Sequence, residues 1–541
     1  MRAGKLSVGT FPVLVWVVLV ATAIAARPLL PIDETRYMAV AWEMHRTGDW
    51  LVLHLNGETY AHKPPLMFWL INAGWAAFGV VEWWARLISP LSALGAALVT
   101  GALAQRLFPR LDPRAIFWAA ALILLGTTTF ALYSTLVLFD AMMVLFAVLG
   151  VYGLVCARDG MRGGFALFGL AIGLGVLTKG PVILVYTLPP ALLAPLWIGA
   201  DRRPAWARWY GGVGLGVALG AVIALAWAIP AAQAGGAAYG EALFWKQSSG
   251  RIVESFAHRR PVWWYVVLLP VLLFPWSAWP PLWRTMAGLR RCWIEMEGAR
   301  LCIVWFAAGL VIMSLISGKQ VHYILPLFPA LAALLAAHVV ARPPIRRDGW
   351  WPALILAALG LIAIAAVLVG PLHDAIASRG VPTDAWTRPV LFAGLAWVAV
   401  AGIAALGNGA GLRALATVAL LSLLALVALQ IAIGPNLRAQ FDVAPAARVV
   451  GGLQRAGSPV AIVGEYHGEL DFAGRLAPVE VLGNEDLPPW IERNPGGTIV
   501  TMFRKQPRGE VPIYAQRIRG RTLAVWPASA IRRDPRLAVP D

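Results

Sequence analysis

Residues 115–133 read AIFWAAALILLGTTTFALY, and residues 138–157 read LFDAMMVLFAVLGVYGLVCA. Each run is close to the ~20 apolar residues that cross the hydrocarbon core of a bilayer as a helix. Asp140 is the single charge in the pair. Runs of the same kind recur in both directions, at roughly 11–30, 84–108, 164–178, 180–198, 209–230, 263–283, 300–317, 322–341, 350–370, 389–407 and 413–433. The expected fold is therefore mainly α, a polytopic membrane helix bundle of about 13 spans.

Composition points the same way. Of 541 residues, 59% are hydrophobic and 13% charged, where a soluble domain carries roughly 25% charged residues. Several of the 26 tryptophans (Trp50, Trp83, Trp84, Trp209, Trp263, Trp264, Trp350, Trp351) stand at the ends of apolar runs, where interfacial belts form. A net charge of +17 would suggest nucleic acid for a soluble protein. Here the cations are spread over short loops, so orientation in a membrane accounts for them and no nucleic-acid partner is expected. Cys156, Cys292 and Cys302 match no metal or disulfide spacing and read as packing residues.

Lysine and arginine concentrate in alternate loops. One set holds Arg2 and Lys5, then Arg106, Arg110 and Arg114, then Arg158 and Arg162, then Arg202, Arg203 and Arg208, with further arginines at 284–300 and 342–347. These loops should be cytoplasmic. The opposite set contains 31–83, the turns near 134–140 and 178–181, the 231–262 loop, the turn at 318–322, the 371–388 loop and everything after 434, and should face outward. Arg2, Lys5 and Ala23-Ile24-Ala25 imitate a signal peptide. The first run is long enough to span, however, and is expected to remain as an anchor.

The first outer loop, 31–83, is expected to hold two surface helices. One opens at Asp33-Glu34-Thr35-Arg36-Tyr37 and ends near Gly48; its Met38, Ala41, Trp42 and His45 suit a helix lying on the membrane. The other begins at Lys63-Pro64-Pro65, with proline in its first turn. After 434 the runs 460–463, 498–503 and 522–526 are β-prone and separated by Gly- and Pro-rich turns. The chain thus divides into a membrane domain, 1–434, and a small C-terminal α/β extracytoplasmic domain, 435–541.

Ionisable residues at membrane depth are costly and are candidate site residues by default. Here they fall on the outward side: Asp33, Lys63, Asp140, Lys179, Lys319, His322 and Tyr323, with Arg251, Glu254, His258, Arg259 and Arg260 from the 231–262 loop. Few carboxylates among many cations suit an anionic substrate. Lys63 opposes the dipole of the helix it precedes, and a phosphate between them would turn that conflict into attraction. Each residue also has a plainer reading. Asp33, Glu34 and Asp140 could cap helices. Lys63 could snorkel, Lys179 and Lys319 could anchor the outer interface, and Tyr37, Tyr60 and Tyr323 could be belt residues.

Taken in order, Asp33-Glu34-Thr35-Arg36-Tyr37, Gly48-Asp49-Trp50, Leu55-Asn56-Gly57, Tyr60 and Lys63-Pro64-Pro65 resemble the first outer loop of bacterial GT-C glycosyltransferases. The resemblance is to the lipid A aminoarabinose transferases and the wider protein-mannosyltransferase-like family. Asp140, Thr178-Lys179-Gly180-Pro181, His258-Arg259-Arg260-Pro261 and 319–326 extend it over roughly residues 10–340.

The resemblance implies a polyprenyl-phosphate sugar donor and an outer-leaflet acceptor such as lipid A, another glycolipid or a protein. It implies residence in a bacterial inner membrane with the site on the periplasmic side. It makes Asp33 the catalytic carboxylate and Lys63, Arg251 and Tyr323 the holders of the donor phosphate. Glu34, Arg36, Tyr37, Tyr60, Asp140, Lys179, His258 and Lys319 would support the cavity. Aminoarabinose transferases carry an acidic residue where this chain has His62. That departure counts against a divalent metal shared by His62 and His258, and no cofactor is otherwise expected.

The chemistry so implied is a displacement with inversion at the anomeric carbon. Cations stabilise the leaving phosphate, and Asp33 takes the proton of a hydroxyl acceptor. The rival from another class, a lipid-linked-sugar transporter or flippase without chemistry, calls for polar residues at mid-membrane and paired broken helices. A scaffold subunit would have no use for Asp33 and Lys63 together.

Overall fold

The computed structural model describes residues 10–246, 259–370, 383–407, 409–504 and 510–538. Its first nine helices are α1 (Thr10–Ala26), α2 (Asp33–Thr47), α3 (Leu66–Phe78), α4 (Glu82–Leu107), α5 (Pro113–Gly126), α6 (Thr128–Ser134), α7 (Asp140–Arg158), α8 (Gly164–Lys179) and α9 (Ile183–Leu192). By length and composition, eight of the described helices can cross a membrane, α4 and α7 among them. The pair α5 and α6, bent by 71°, makes a ninth if taken as one span. The bend has a local cause. Thr127 takes an extended conformation, and the backbone N–H of Thr128 leaves the helix to donate to the carbonyl of Phe274 at 2.9 Å.

Three expected runs appear as shorter apolar helices, α1, α8 and α9. The run at 263–283 is divided into Trp264–Leu272, a 3₁₀ turn at Trp276–Ala278 and Pro280–Ala287. Pro270, Pro275, Pro280 and Pro281 lack the N–H that a continuous helix needs there. Trp209, read as an interfacial residue, is buried instead; its indole donates to the carbonyl of Ala191 and packs edge-on against Trp197. Trp50, Trp83, Trp263, Trp350 and Trp351 are exposed.

The chain divides into two compact units. One comprises residues 1–25, 61–67 and 86–433, and the other residues 26–60, 68–85 and 434–541. In the first, small residues let helices approach closely. A Cβ on Gly164 of α8 would come within 2.4 Å of the backbone of Ala157 on α7, and one on Gly169 within 2.4 Å of the carbonyl of Gly216.

The second unit is built on a five-stranded sheet. Strands β1 (His54–Leu55) and β2 (Glu58–Thr59) form a separate hairpin. The main sheet consists of β3 (Val460–Val463), β4 (Glu480–Leu482), β5 (Thr498–Phe503), β6 (Tyr514–Ile518) and β7 (Arg521–Pro527) in the order β4-β3-β5-β7-β6. β3 runs parallel to β4 and β5; β7 runs antiparallel to β5 and β6. Strand alternation sends Ala461, Val463 and Trp526 to one buried cluster, and Val460, Ile462 and Val525 to another. Both faces are therefore covered, which explains why these strands read as nearly continuous apolar runs.

Residues 26–60 and 68–85 pack into the same unit. Helix α2 ends at Gly48, whose left-handed φ of 71° lets its N–H return to the carbonyl of Met44. The stripe expected to lie on a membrane instead faces the sheet domain. Met38 and Ala41 are buried, the indole of Trp42 donates to the carbonyl of Leu476 at 2.8 Å, and His45 packs edge-on against Trp75. Trp75 in turn stacks on Phe472 at 5.4 Å. Asn56 behaves as a short extra strand for β4: its amide donates to the carbonyl of Val479 at 2.9 Å, and its oxygen accepts the N–H of Val479 at 2.8 Å. A helix periodicity says which residues share a face; it does not say whether lipid or protein covers that face. In α3 the two prolines precede the first helical residue, Leu66, so Lys63 lies ahead of the helix.

Candidate active site

In the first unit a polar cluster forms where α7 begins and α8 ends. Asp140 is the first residue of α7 and is 6% exposed. Lys179 claims its side chain, with Nζ donating to Oδ1 at 2.6 Å. Nε2 of His322 stands 3.9 Å from Oδ2. Lys179 reaches this position because Gly180 stops α8 behind it. Gly180 has φ 81° and ψ −165°, a conformation that side chains other than glycine's rarely permit, and its N–H closes the helix on Val176.

Tyr323 completes the cluster. The Lys179 ammonium lies 4.8 Å from the centre of its ring, and the His322 ring is 4.8 Å from it. Tyr186 on α9 fixes its backbone, donating from Oη to the Tyr323 carbonyl at 2.6 Å. Lys63 stands 5.6 Å over the ring of Phe139, the residue just before Asp140. One ammonium group and a histidine thus flank the buried carboxylate, with a second ammonium beside the neighbouring Phe139 ring. The local charge is positive, as a site for an anionic group requires.

Lys319 lies just before this cluster in sequence and does a different job. It is 3% exposed, and its Nζ donates to the carbonyls of Ile316 at 2.6 Å and Arg260 at 3.0 Å. Burial pushes its pKa down from the ordinary lysine value. The Arg260 N–H bonds to the Ser317 carbonyl and the Tyr265 hydroxyl to the Gln320 carbonyl, so Lys319 belongs to a stitched turn that leads into His322 and Tyr323. Arg251, Glu254 and His258 lie outside the described residues.

The second unit holds the other expected residues. Asp33 opens α2 with its side chain 58% exposed and pairs with Arg36 one turn along. Glu34 points the other way. It is 3% exposed, meets the guanidinium of Arg27 at 2.5 Å and accepts the N–H of Leu30 at 2.9 Å. Tyr37 and Tyr60 are buried on either side of Phe68, with ring centres 6.4 and 6.5 Å from it. Glu34, Tyr37 and Tyr60 therefore shape the α2 region, and Asp33 is the exposed member of the set.

Sequence reading missed Tyr186, Tyr133 and Arg27. Tyr133 lies 5.3 Å from the His322 ring. The signal for Tyr186 was a hydroxyl in an otherwise apolar run, and for Arg27 a cation seven residues ahead of Glu34. Among the described residues no three His, Cys, Asp or Glu side chains are grouped to hold a metal.

The sequence pattern of dolichyl-phosphate-mannose-protein mannosyltransferases matches residues 27–234, the stretch that carries Asp33, Lys63, Asp140 and Lys179. An undecaprenyl phosphate-α-4-amino-4-deoxy-L-arabinose arabinosyl transferase of Pectobacterium carotovorum is 30% identical over 383 residues, 69% of this chain and 66% of that one. The chain resembles this protein-mannosyltransferase-like family. A second relative, from Pseudomonas aeruginosa and of the same name, is 33% identical over 320 residues, 57% of this chain and 55% of its own. In sequence the chain thus spans just under two thirds, or less, of the curated relatives it matches. The GT-C fold extends further. The crystal structure of ArnT from Cupriavidus metallidurans in the apo state superimposes with a TM-score of 0.76 at 20% identity, covering 98% of both chains. The same protein bound to undecaprenyl phosphate gives 0.74, covering 95% of this chain and 97% of that one. The multi-pass membrane character read from the apolar runs is thereby the fold of this GT-C family.

Proposed function

We propose that the protein is a glycosyltransferase that moves a sugar from a polyprenyl-phosphate donor to an acceptor in the outer leaflet, with lipid A as the first acceptor to test. The observation that carries this reading is the cluster of Lys63, Lys179, His322 and Tyr323 around the buried Asp140. A phosphate ester is the anion such a cluster suits, and relatives named as undecaprenyl-phosphate aminoarabinose transferases support the donor class.

In the proposed reaction the acceptor oxygen attacks the anomeric carbon from the face opposite the phosphate. The bond between carbon and phosphate oxygen breaks, its electron pair leaves with the phosphate, and the configuration inverts. Lys63, Tyr323 and Arg251 stabilise the charge gathering on the phosphate. Lys179 stays engaged with Asp140 and keeps that carboxylate from repelling the donor. Asp33 accepts the proton of a hydroxyl acceptor. Where the acceptor is a phosphate, no proton moves and Asp33 orients the acceptor or balances positive charge on the sugar ring. The distribution of arginines between loops supports a bacterial inner-membrane protein of about 13 spans, with this cluster and residues 435–541 on the periplasmic side.

The test is mass spectrometry of lipid A, envelope glycans and secreted proteins from a strain lacking the gene. It is paired with transfer by the purified full chain from an undecaprenyl-phosphate sugar. A lost sugar mass, restored by the wild-type chain and not by Asp33→Asn, is the expected result. Unchanged sugar content in all three fractions would overturn the transferase reading.

A further inference from the structure

Helix α7 carries Asp140 at one end and Arg158 at the other, 19 residues in all and about 27 Å of rise. The Arg158 end holds a second polar assembly that the proposed chemistry does not use. A cavity of about 500 Å³ is lined there by Arg106, Pro109, Arg158, Asp159 and Arg202. These residues come from the end of α4, the end of α7 and the 3₁₀ turn Ala200–Arg202, three segments that belong to arginine-rich loops.

The members differ in what they can still do. Arg158 is 1% exposed and bonded through each of its three nitrogens. It donates to Asp159 at 2.8 and 3.0 Å and to Glu297 at 3.1 Å, with its guanidinium over the ring of Trp197. Arg106 and Arg202 are 31% and 47% exposed, and both reach Asp159 only at 3.6 and 3.5 Å. Each guanidinium has five N–H donors in a planar fork. Such long, shared contacts to one carboxylate leave donor capacity facing the cavity, even after Nε of Arg106 bonds to Tyr152. Three guanidinium groups here meet two carboxylates, Asp159 and Glu297, which leaves one positive charge over.

We propose that this cavity binds the singly charged phosphate of a phosphodiester, supplied by an anionic phospholipid of the leaflet opposite the sugar-transfer site. One phosphodiester balances the surplus charge, and its two unesterified oxygens match a pair of guanidinium forks. The lipid source is favoured by exposed apolar side chains close in sequence: Leu192, Leu193 and Leu196 are exposed on the segment that leads through Trp197 to Arg202. Arginine-lined pockets beside membrane helices are suited to anionic head groups in this way.

The test uses the full chain in detergent, with phosphatidylglycerol, phosphatidylcholine and inorganic phosphate as separate probes. Retained lipid is read by native mass spectrometry, and thermal unfolding is followed in parallel. Phosphatidylglycerol should be retained in preference to phosphatidylcholine, and Arg202→Ala and Arg106→Ala should each weaken that retention about fivefold to tenfold. Sugar transfer should persist in Arg202→Ala, which separates this site from the transferase reading. Stabilisation by inorganic phosphate that both variants lose, without lipid retention, would keep the phosphate site and reassign its source to a soluble ester. No preference for phosphatidylglycerol and no effect of phosphate, or equal retention by wild type and both variants, would overturn the proposal and leave a salt-bridge network that ties three loops.

Discussion

Asp140 and Lys179 meet at 2.6 Å although they lie at the start of one helix and the end of the next. Both side chains are largely buried, at 6% and 15% exposure. Removing one partner leaves the other charge uncompensated, which for buried pairs costs on the order of 3 kcal/mol. Lys179→Met should lower the unfolding temperature by several degrees, and adding Asp140→Asn should recover part of the loss. A double variant no more stable than Lys179→Met alone would show that the two residues do not act as a pair.

Asp33→Asn should leave folding intact, because the side chain is 58% exposed and an asparagine oxygen can still accept from Arg36. Stability should change by less than about 0.5 kcal/mol, while transfer from a polyprenyl-phosphate sugar falls by two orders of magnitude or more, on the order of what a lost general base costs. Full activity in the purified variant would remove Asp33 from the chemistry.

Its neighbour should behave in the opposite way. Glu34→Ala takes the carboxylate away from the buried Arg27 and removes an acceptor from the N–H of Leu30. A loss on the order of 3 kcal/mol is expected, read as lower yield and lower unfolding temperature. If Glu34→Ala is stable but inactive, Glu34 belongs to the reacting site.

In the sheet domain, burial pushes the Asp471 carboxyl up to about 7, against an opposing hydrogen bond from Tyr466 and with Glu43 and Glu469 adding to the rise. The folded state holds this proton more tightly than the unfolded chain does. Its contribution to stability is therefore full below the unfolded value near 3.8 and is lost as the pH rises toward 7. The slope is at most about 1.4 kcal/mol per pH unit. Thermal unfolding followed through tryptophan fluorescence between pH 4 and pH 8 should show this decline, and Asp471→Asn should flatten it. Parallel profiles for the two proteins would contradict the assignment.

Gly180→Ala should cost about 1–3 kcal/mol, although there is open space where the Cβ would sit. The penalty is conformational, from φ 81° and ψ −165°, and it bears on the residue that aims Lys179. Donor use should fall with it. An alanine variant with unchanged stability and unchanged donor affinity would separate the turn from the site.

Apolar runs, loop arginines and the β-prone tail made the helical, multi-span character legible, because length and composition alone decide those features. What covers a given face was not legible. The 38/41/42/45 stripe of α2 has the same period whether it meets lipid or protein, and Trp42 proved to bond to Leu476. The broken helix at 263–283 could have been foreseen from its four prolines. Among site residues, charge at membrane depth found Asp140 and Lys179 but could not pair them, since 39 residues separate them. It also could not tell that Lys319 spends its donors on two carbonyls.

The paired bonds between Asn56 and Val479, and the bond from Trp42 to Leu476, have a consequence for anyone who edits this gene. The last hundred residues are not a detachable module. A chimaera that exchanges the tail alone discards the surface on which the Asp33 helix rests, so a working graft must carry residues 26–60 and 68–85 from the same donor.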